Sequence, residues 1–531
     1  MTDETHVTEP EKIPQLDTIE VDAPVTTSGG EDKKIKTPRL PSVFEALLPI
    51  IVLLGIMIVN YVLEWGQDPH IPVLIAVAVA MIIGFFCGHS YKELLAGIVS
   101  ALSRTMEAIL ILFCIGLLIG SWLWSGTIPA IVFYGLDLLS PKVFLPVGAC
   151  ICAVVGMACG SSWTTTGTIG IAMMGIGAGM GINPALTAGM CISGAYMGDK
   201  FSPLSDTTNL AAAAAQTGLF DHVRAMASTT FPCFVIALII YAVMGLNAAG
   251  NYDPSAAAEL QATLAANFNL SLWLLLPVVL IIVVCALKMP ALPAILLAVL
   301  FGLFFAVVSQ GASLNDCITA CHYGFSIETG NALADDLLNR GGMDGTLWTI
   351  NLVIVAISFG GVLEKIGCIE ALIGKLIRKI KSVGSLVTTT ILTSLFCDLT
   401  MCDQYLAIII PGQMFQKYFD KQGLARNMLS RTLEDCGTLW SPLVPWNSCG
   451  AYQSSVLGMS PLAYLPYAFM NLINPIYAIV TACLGRNILY ADGTRAGLFS
   501  KKLKQGAVAA APADAHQEAL KALAAIRGEK E

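Results

Sequence analysis

The sequence predicts an all-α polytopic membrane protein made of two inverted repeats of five spans, each repeat carrying a re-entrant hairpin and a broken helix. Three observations lead there. Only 12% of the 531 residues are charged while 56% are hydrophobic. Apolar stretches of about span length succeed one another from residue 43 to residue 485. A Ser-Pro break in an apolar run occurs once in each half, at Ser202-Pro203 and Ser441-Pro442. Soluble folds carry about 25% charged residues. Here residues 1–40 hold 14 charges and residues 486–531 hold 13, which leaves 39 for the 445 residues between them. That is too little polar surface for a soluble chain of this size. Cytosolic enzymes and nucleic-acid binders are therefore poor fits, and the lipid bilayer is the expected partner.

In chain order, residues 1–40 are rich in Asp, Glu, Thr and Pro without apolar periodicity, and read as a disordered cytoplasmic tail. The polar stretch before Phe44 is unlike a signal peptide. The first transmembrane repeat, 41–247, holds apolar segments at 43–64, 70–88, 106–124, 143–181, 184–217 and 226–247. An extracytoplasmic linker at 248–270 leads to the second repeat, 271–485, with segments at 271–287, 291–309, 346–364, 383–415, 424–458 and 461–485. Residues 486–531 form a cytoplasmic C-terminal tail, in which 512–531 read as a short helix.

Most segments have about the 20 residues that a crossing needs. Two, 143–181 and 383–415, are too long for one crossing, and each has a polar centre: Ser161-Ser162-Trp163-Thr164-Thr165-Thr166 and Asp398-Leu399-Thr400-Met401-Cys402-Asp403-Gln404. Both read as hairpins that dip into the membrane and return, because non-helical backbone at that depth must be buried in protein or face a cavity. An amphipathic stretch, 127–139 or 366–381, precedes each hairpin.

Ten spans and two hairpins put both termini on one side. Taking it as cytoplasmic gives 26 Lys and Arg inside against Lys142 and Arg340 outside, with Lys200 in the membrane, the bias that the positive-inside rule requires. Charge alone does not exclude twelve spans; the polar centres favour hairpins. Phe201-Ser202-Pro203-Leu204 recurs as Trp440-Ser441-Pro442-Leu443 at a displacement of 239 residues, which also sets Thr164-Thr165 on Asp403-Gln404. Repeats with an odd number of spans must be inverted. Inverted repeats with interrupted helices characterise secondary transporters, whose sites lie at the repeat interface.

The candidate site residues follow from those interruptions. Pro203 breaks the helix, and Asp206, Ser202, Ser205, Thr207 and Asn209 surround the break with hard oxygen donors that suit sodium. Ser161, Ser162 and Thr164 at the first hairpin tip join that proposed sodium set. Asp199, Thr165, Thr166, Asp398, Asp403, Gln404, Glu434, Asp435, Ser441 and Asn447 are the candidate substrate- or proton-linked groups. Two plainer readings stand beside these: Asp199 can pair with its neighbour Lys200, and Glu434 and Asp435 can sit at a helix end balancing Arg431. A threonine run can also bond back to its own helix. The sixteen cysteines lie mostly in apolar runs and read as buried hydrophobes rather than disulfide partners. Cys317-Ile318-Thr319-Ala320-Cys321-His322 has the wrong spacing for haem attachment and no second cluster for zinc. The Gly175–Gly181 glycines lack the strand of a nucleotide loop. There is no Walker motif and no catalytic triad, so neither an ATP-driven pump nor an enzyme is expected, and no cofactor beyond sodium ion and proton.

Two stretches resemble the signatures of the NhaC family of sodium/proton antiporters, within the ion transporter superfamily. They are Gly160-Ser161-Ser162-Trp163-Thr164-Thr165-Thr166-Gly167-Thr168 and Gly194-Ala195-Tyr196-Met197-Gly198-Asp199-Lys200-Phe201-Ser202-Pro203-Leu204-Ser205-Asp206-Thr207-Thr208-Asn209. The likeness covers roughly residues 43–485. It implies a homodimeric secondary active transporter of the cell membrane, exchanging sodium for protons by elevator-type alternating access. The alternative it leaves open is a sodium- or proton-coupled exchanger of a small organic acid, such as malate or lactate, or of an amino acid.

Overall fold

The computed structural model describes residues 38–63, 65, 67–248, 254–377 and 380–497. Most of the tail expected at 1–40 and the helix expected at 512–531 lie outside the described residues. The first half runs α1 (Val43–Val62), α2 (His70–Phe86), α3 (Tyr91–Arg104), α4 (Met106–Trp124), α5 (Thr127–Leu138), α6 (Pro141–Cys159), α7 (Ser162–Thr165), a π-helical turn (Thr166–Gly170), α8 (Ile171–Gly179), α9 (Pro184–Phe201), α10 (Asp206–Ala214) and α11 (Leu219–Ala248). Within the expected linker lies α12 (Pro254–Asn267). The second half runs α13 (Leu276–Ala286), α14 (Ala291–Gln310), α15 (Leu314–Tyr323), α16 (Ala332–Leu338), α17 (Gly342–Ile366), α18 (Cys368–Ile377), α19 (Val383–Thr400), α20 (Gln404–Lys421), α21 (Arg426–Gly437), α22 (Ser448–Leu457), α23 (Pro461–Tyr464) and α24 (Phe469–Cys483). A two-stranded ribbon, Ile488–Leu489 against Arg495–Ala496, follows.

Seven of the described helices are long and apolar enough to cross a membrane alone, and nine if two bent pairs each count once. One pair is α12 with the segment ending in α13, bent by 100°; the other is α23 with α24, bent by 62°. This is fewer than the ten spans expected. The 184–217 and 424–458 segments are each split by a break into α9 and α10 or α21 and α22, and α2 is a residue short of that span length, at 17.

Both long polar-centred segments fold back on themselves. In the first, Gly160 (φ +65°) leaves the helical path, and Ser161 starts the return by accepting from Thr164 N–H at 3.2 Å. The arms then pass each other. A methyl group on Gly148 of α6 would meet Met173 Sδ at 3.5 Å, and one on Gly177 of α8 would meet Phe144 at 3.3 Å. In the second, Cys402 (φ +58°) turns the chain, and Asp403 caps α20 by accepting from Tyr405 N–H at 2.8 Å and Leu406 N–H at 3.0 Å. Caps of this kind satisfy backbone donors that a helix start leaves unpaired.

Element boundaries recur between the halves. Pro141 and Val383, Ser162 and Gln404, Pro184 and Arg426, and Asp206 and Ser448 each begin a helix and each differ by 242 residues. The sequence match at 239 therefore needs correcting: it aligns the Ser-Pro steps but not the hairpin tips or the helices after the breaks. Only the Ser-Pro step is displaced: Ser441 follows the start of α21 three residues sooner than Ser202 follows the start of α9, and Val444-Pro445-Trp446 restores the register before the cap Asn447. Close helix packing brings the first hairpin against the first broken helix. A methyl group on Gly198 of α9 would lie 2.1 Å from Ala153 O of α6, so only glycine fits there.

Candidate functional site

A cavity of about 670 Å³ reaches the first hairpin tip and the first helix break, lined there by Ser161, Ser162, Thr164, Asp199 and Asp206. Gln404 and Tyr405 from the second hairpin, and Arg104, Glu107 and Lys288 towards the helix ends, complete its polar wall. Gly160 makes the meeting possible. Its Cβ would stand 2.7 Å from Leu204 Cβ and 2.9 Å from Ser205 N, so the tip touches the break only because no side chain intervenes.

Asp199 occupies the last turn of α9 and is buried. Its Oδ2 accepts from Ser162 N–H at 3.1 Å, and among the described residues its Oδ1 has no hydrogen-bond partner. Asp206 begins α10 across the break and is exposed in the cavity wall, not enclosed. Its Oδ1 accepts from Thr207 N–H at 2.9 Å, and its Oδ2 accepts from the Tyr405 hydroxyl. The opened helix is held from within. Ser202 Oγ accepts from Leu204 N–H at 3.2 Å, and Ser205 Oγ from Thr208 N–H at 3.3 Å while bonding Thr207 Oγ1 at 3.0 Å. Asn209 Nδ2 donates to Pro203 O at 3.1 Å and Ser205 O at 2.7 Å. Ser202, Ser205, Thr207 and Asn209 thus stabilise the break and do not line the cavity. Thr165 Oγ1 donates to Ser161 O at 2.8 Å and Thr166 Oγ1 to Ser162 O at 3.0 Å. Both hydroxyls bond back to their own helix and lie behind the cavity wall.

The second half forms a separate, enclosed arrangement. Asp398 is fully buried; Asn447 Nδ2 donates to its carbonyl at 3.1 Å, and among the described residues its Oδ2 has no hydrogen-bond partner. The second tip meets the second break where Ser448 N–H donates to Cys402 O at 2.9 Å. Thr400 and Ser441 donate to Phe396 O and Thr438 O. Asp403, besides capping α20, borders a smaller cavity of about 250 Å³ with Arg104 and Tyr405. Glu434 and Asp435 are fully buried, and they meet Lys200 rather than sitting at a wet helix end. Lys200 Nζ donates to Glu434 O at 2.7 Å and lies 3.7 Å from Glu434 Oε2 and from Asp435 Oδ1. The simple Asp199–Lys200 pair is thus not formed. Arg431 does balance Asp435, at 3.8 Å.

The sequence does not single out Tyr405 or Arg104, and it offers Thr208 only as one of the oxygen donors that flank Asp206. Thr208 Oγ1 reaches Asp199 O at 3.5 Å and Lys200 O at 3.4 Å, covering carbonyls that the break exposes. Its hydroxyl beside Pro203 was the available signal. Nothing in the sequence pairs Tyr405 with Asp206, 199 residues away.

Apolar helices in this number, interrupted at polar centres, the first of which lines a cavity, define a multi-pass α-helical membrane protein. Residues 194–486 match the model of the Na+/H+ antiporter family. The chain is 39% identical to the Na(+)/H(+) antiporter NhaC of Alkalihalophilus pseudofirmus, over 82% of this chain and 95% of that protein. It is 37% identical to the malate-2H(+)/Na(+)-lactate antiporter of Bacillus subtilis, over 86% and 97%, and 40% identical to the arginine/ornithine antiporter ArcD of Halobacterium salinarum, over 86% and 94%. The chain belongs to the NhaC-type Na+/H+ antiporter family.

Proposed function

We propose that this protein exchanges sodium for protons, with Asp199 and Asp206 as the carboxylates for which the two ions compete. The observation that carries this reading is Asp199 Oδ1, a buried carboxylate oxygen without a hydrogen-bond partner among the described residues, in a side chain that lines the cavity and is fixed by Ser162 N–H. Interrupted helices supply such cation sites in secondary transporters. Bound sodium favours the ionised carboxylate and a proton the neutral one. Each ion therefore excludes the other, and that exclusion couples the two fluxes. Ser161, Ser162 and Thr164 add oxygen ligands from the tip.

In this reading the halves are inverted repeats of five spans, the fold-backs are re-entrant, and the chain is a homodimer with both termini cytoplasmic. The recurrence of helix starts at 242 residues supports the repeat, and the Lys and Arg distribution supports the orientation. Arg104 and Lys288, assigned to cytoplasmic ends, rim the cavity, so this conformation faces inward; an elevator movement of the hairpins and broken helices then delivers the ion outward.

A second reading, exchange of a small organic acid or amino acid, is favoured by one feature. A cavity of about 670 Å³ that carries Arg104 and Lys288 as well as Asp199 and Asp206 exceeds the needs of a single sodium ion. The test is reconstitution in liposomes with a pH-sensitive dye. A sodium gradient should drive opposite proton movement without organic solute. Uptake of malate, lactate, arginine or ornithine, followed by radiolabel, without proton movement on sodium alone would establish the second reading, and neither flux would overturn both.

A further inference from the structure

The buried charges behind the cavity form a second arrangement that the sodium–proton reading leaves unused. Lys200 and Arg431 supply two cations, Glu434 and Asp435 two carboxylates, and all four are at most 1% exposed. The Lys200 ammonium is surrounded by oxygen. Glu434 O accepts from it at 2.7 Å, and Glu434 Oε2 and Asp435 Oδ1 each stand 3.7 Å away. Those carboxylates are positioned by other groups: Thr438 donates to Glu434 Oε2 at 2.9 Å, and Thr229 and Asn474 donate to Asp435 Oδ1 at 2.9 and 2.8 Å. Among the described residues Glu434 Oε1 and Asp435 Oδ2 have no hydrogen-bond partner, although Asp435 Oδ2 faces the Arg431 guanidinium at 3.8 Å. Thus a preformed set of hard oxygens surrounds one monovalent positive charge, and that charge is covalently attached to α9 one residue after Asp199.

We propose that the Lys200 ammonium is a built-in cation occupying a second monovalent-cation site, made by Glu434 and Asp435, and that it thereby limits the number of sodium ions this protein binds. With Lys200 present the four side chains sum to zero charge. Without it they carry one net negative charge in a water-poor interior, which recruits a free cation. Sodium satisfies the same carbonyl and carboxylate oxygens that hold the ammonium. The tether also explains why Lys200 turns away from Asp199: its ammonium serves the second helix break and leaves the Asp199 carboxylate to the cavity.

The experiment compares wild type, Lys200→Met and the charge-neutral double variant Lys200→Met with Glu434→Gln, by thermal unfolding in detergent across a sodium titration, with choline chloride holding ionic strength constant. Lys200→Met should gain a sodium-dependent stabilisation beyond that of wild type, with the sodium dependence at least doubled in slope. The double variant should return to the wild-type slope. If Lys200→Met folds only at high sodium, and choline does not replace sodium, the proposal stands equally. Equal slopes in all three proteins overturn it, as does failure of Lys200→Met to fold at every sodium concentration. This measurement does not depend on transport. The antiporter reading rests instead on the liposome assay, so each can fail without the other. Where Lys200→Met transports, its sodium-to-proton ratio from reversal potentials should exceed that of wild type.

Discussion

The Ser162 backbone N–H donates to Asp199 Oδ2 at 3.1 Å, joining the tip of the first fold-back to the last turn before the first helix break. One carboxylate oxygen is thereby fixed by the backbone and the other is left without a hydrogen-bond partner among the described residues. A tip that moves relative to α9 cannot leave this carboxylate as it is, so under the proposed sodium–proton exchange the contact would tie ion occupancy to the position of the hairpin.

Asp199→Asn keeps an oxygen able to accept from Ser162 N–H but removes charge and titration. Interactions with a charged group contribute about 1.5–3 kcal/mol, which corresponds to roughly 10- to 100-fold in affinity. Sodium-driven proton flux in liposomes should fall by at least that factor, while expression and dimensions by size-exclusion chromatography stay as in wild type. Retention of full flux would remove Asp199 from the coupling site.

Asp206 differs in being exposed in the cavity wall, with Tyr405 of the second hairpin as its hydroxyl donor. Asp206→Asn should abolish sodium-dependent transport. Tyr405→Phe leaves the charge and removes its anchor, so it should raise the sodium KM by roughly tenfold, the size of one charge-assisted hydrogen bond. Should Asp206→Asn keep wild-type sodium affinity while Asp398→Asn or Asp403→Asn lose it, the ion site belongs to the second hairpin.

Gly160 separates backbone strain from close approach. Alanine at its φ of +65° costs about 1–2 kcal/mol for the left-handed conformation alone. It also drives a methyl group to 2.7 Å from Leu204 Cβ. Gly181 has a similar φ of +66° with nothing within 4 Å. Gly160→Ala should therefore lower the unfolding temperature more than Gly181→Ala and also abolish transport, whereas Gly181→Ala should keep it. Equal effects would mean that the tip does not need to touch the break.

Much of this arrangement is legible in the sequence because membrane burial makes exceptions visible. A serine–threonine run or an Asp-rich step inside an apolar segment has to be explained, and both proved to be turning points, at Gly160-Ser161 and Cys402-Asp403. The breaks at Pro203 and Pro442 are legible for the same reason. Long-range pairing is not. Lys200 reads as a partner for Asp199 because they are adjacent, yet its contacts are with Glu434 and Asp435. The correspondence between halves also slipped by three residues, since the Ser-Pro step is a local motif whereas the recurring unit is the set of helix starts. The linker and the 312–345 stretch contain α12, α15 and α16, which are too short or too polar to signal a span.

Orientation can be tested by single cysteines in a background whose native cysteines have been made unreactive; Cys159 and Cys285 line the cavity and would otherwise react. Lys142→Cys and Lys381→Cys are both at exposed positions. The proposed orientation, argued from the uneven Lys and Arg distribution, has them on opposite faces. An impermeant maleimide added outside intact cells should label position 142 and leave 381 untouched until the membrane is opened. Leu204→Cys, between the tip and Asp206, probes the cavity itself. In the inward-facing arrangement it should label from inside-out vesicles and not from intact cells, and sodium should slow the labelling by occupying the neighbouring carboxylates. Labelling of 142 and 381 from the same face would refute the inverted arrangement. Labelling of Leu204→Cys at the same rate with and without sodium would separate the cavity from the ion path, leaving the enclosed Asp398–Asn447 pair as the place to look for it.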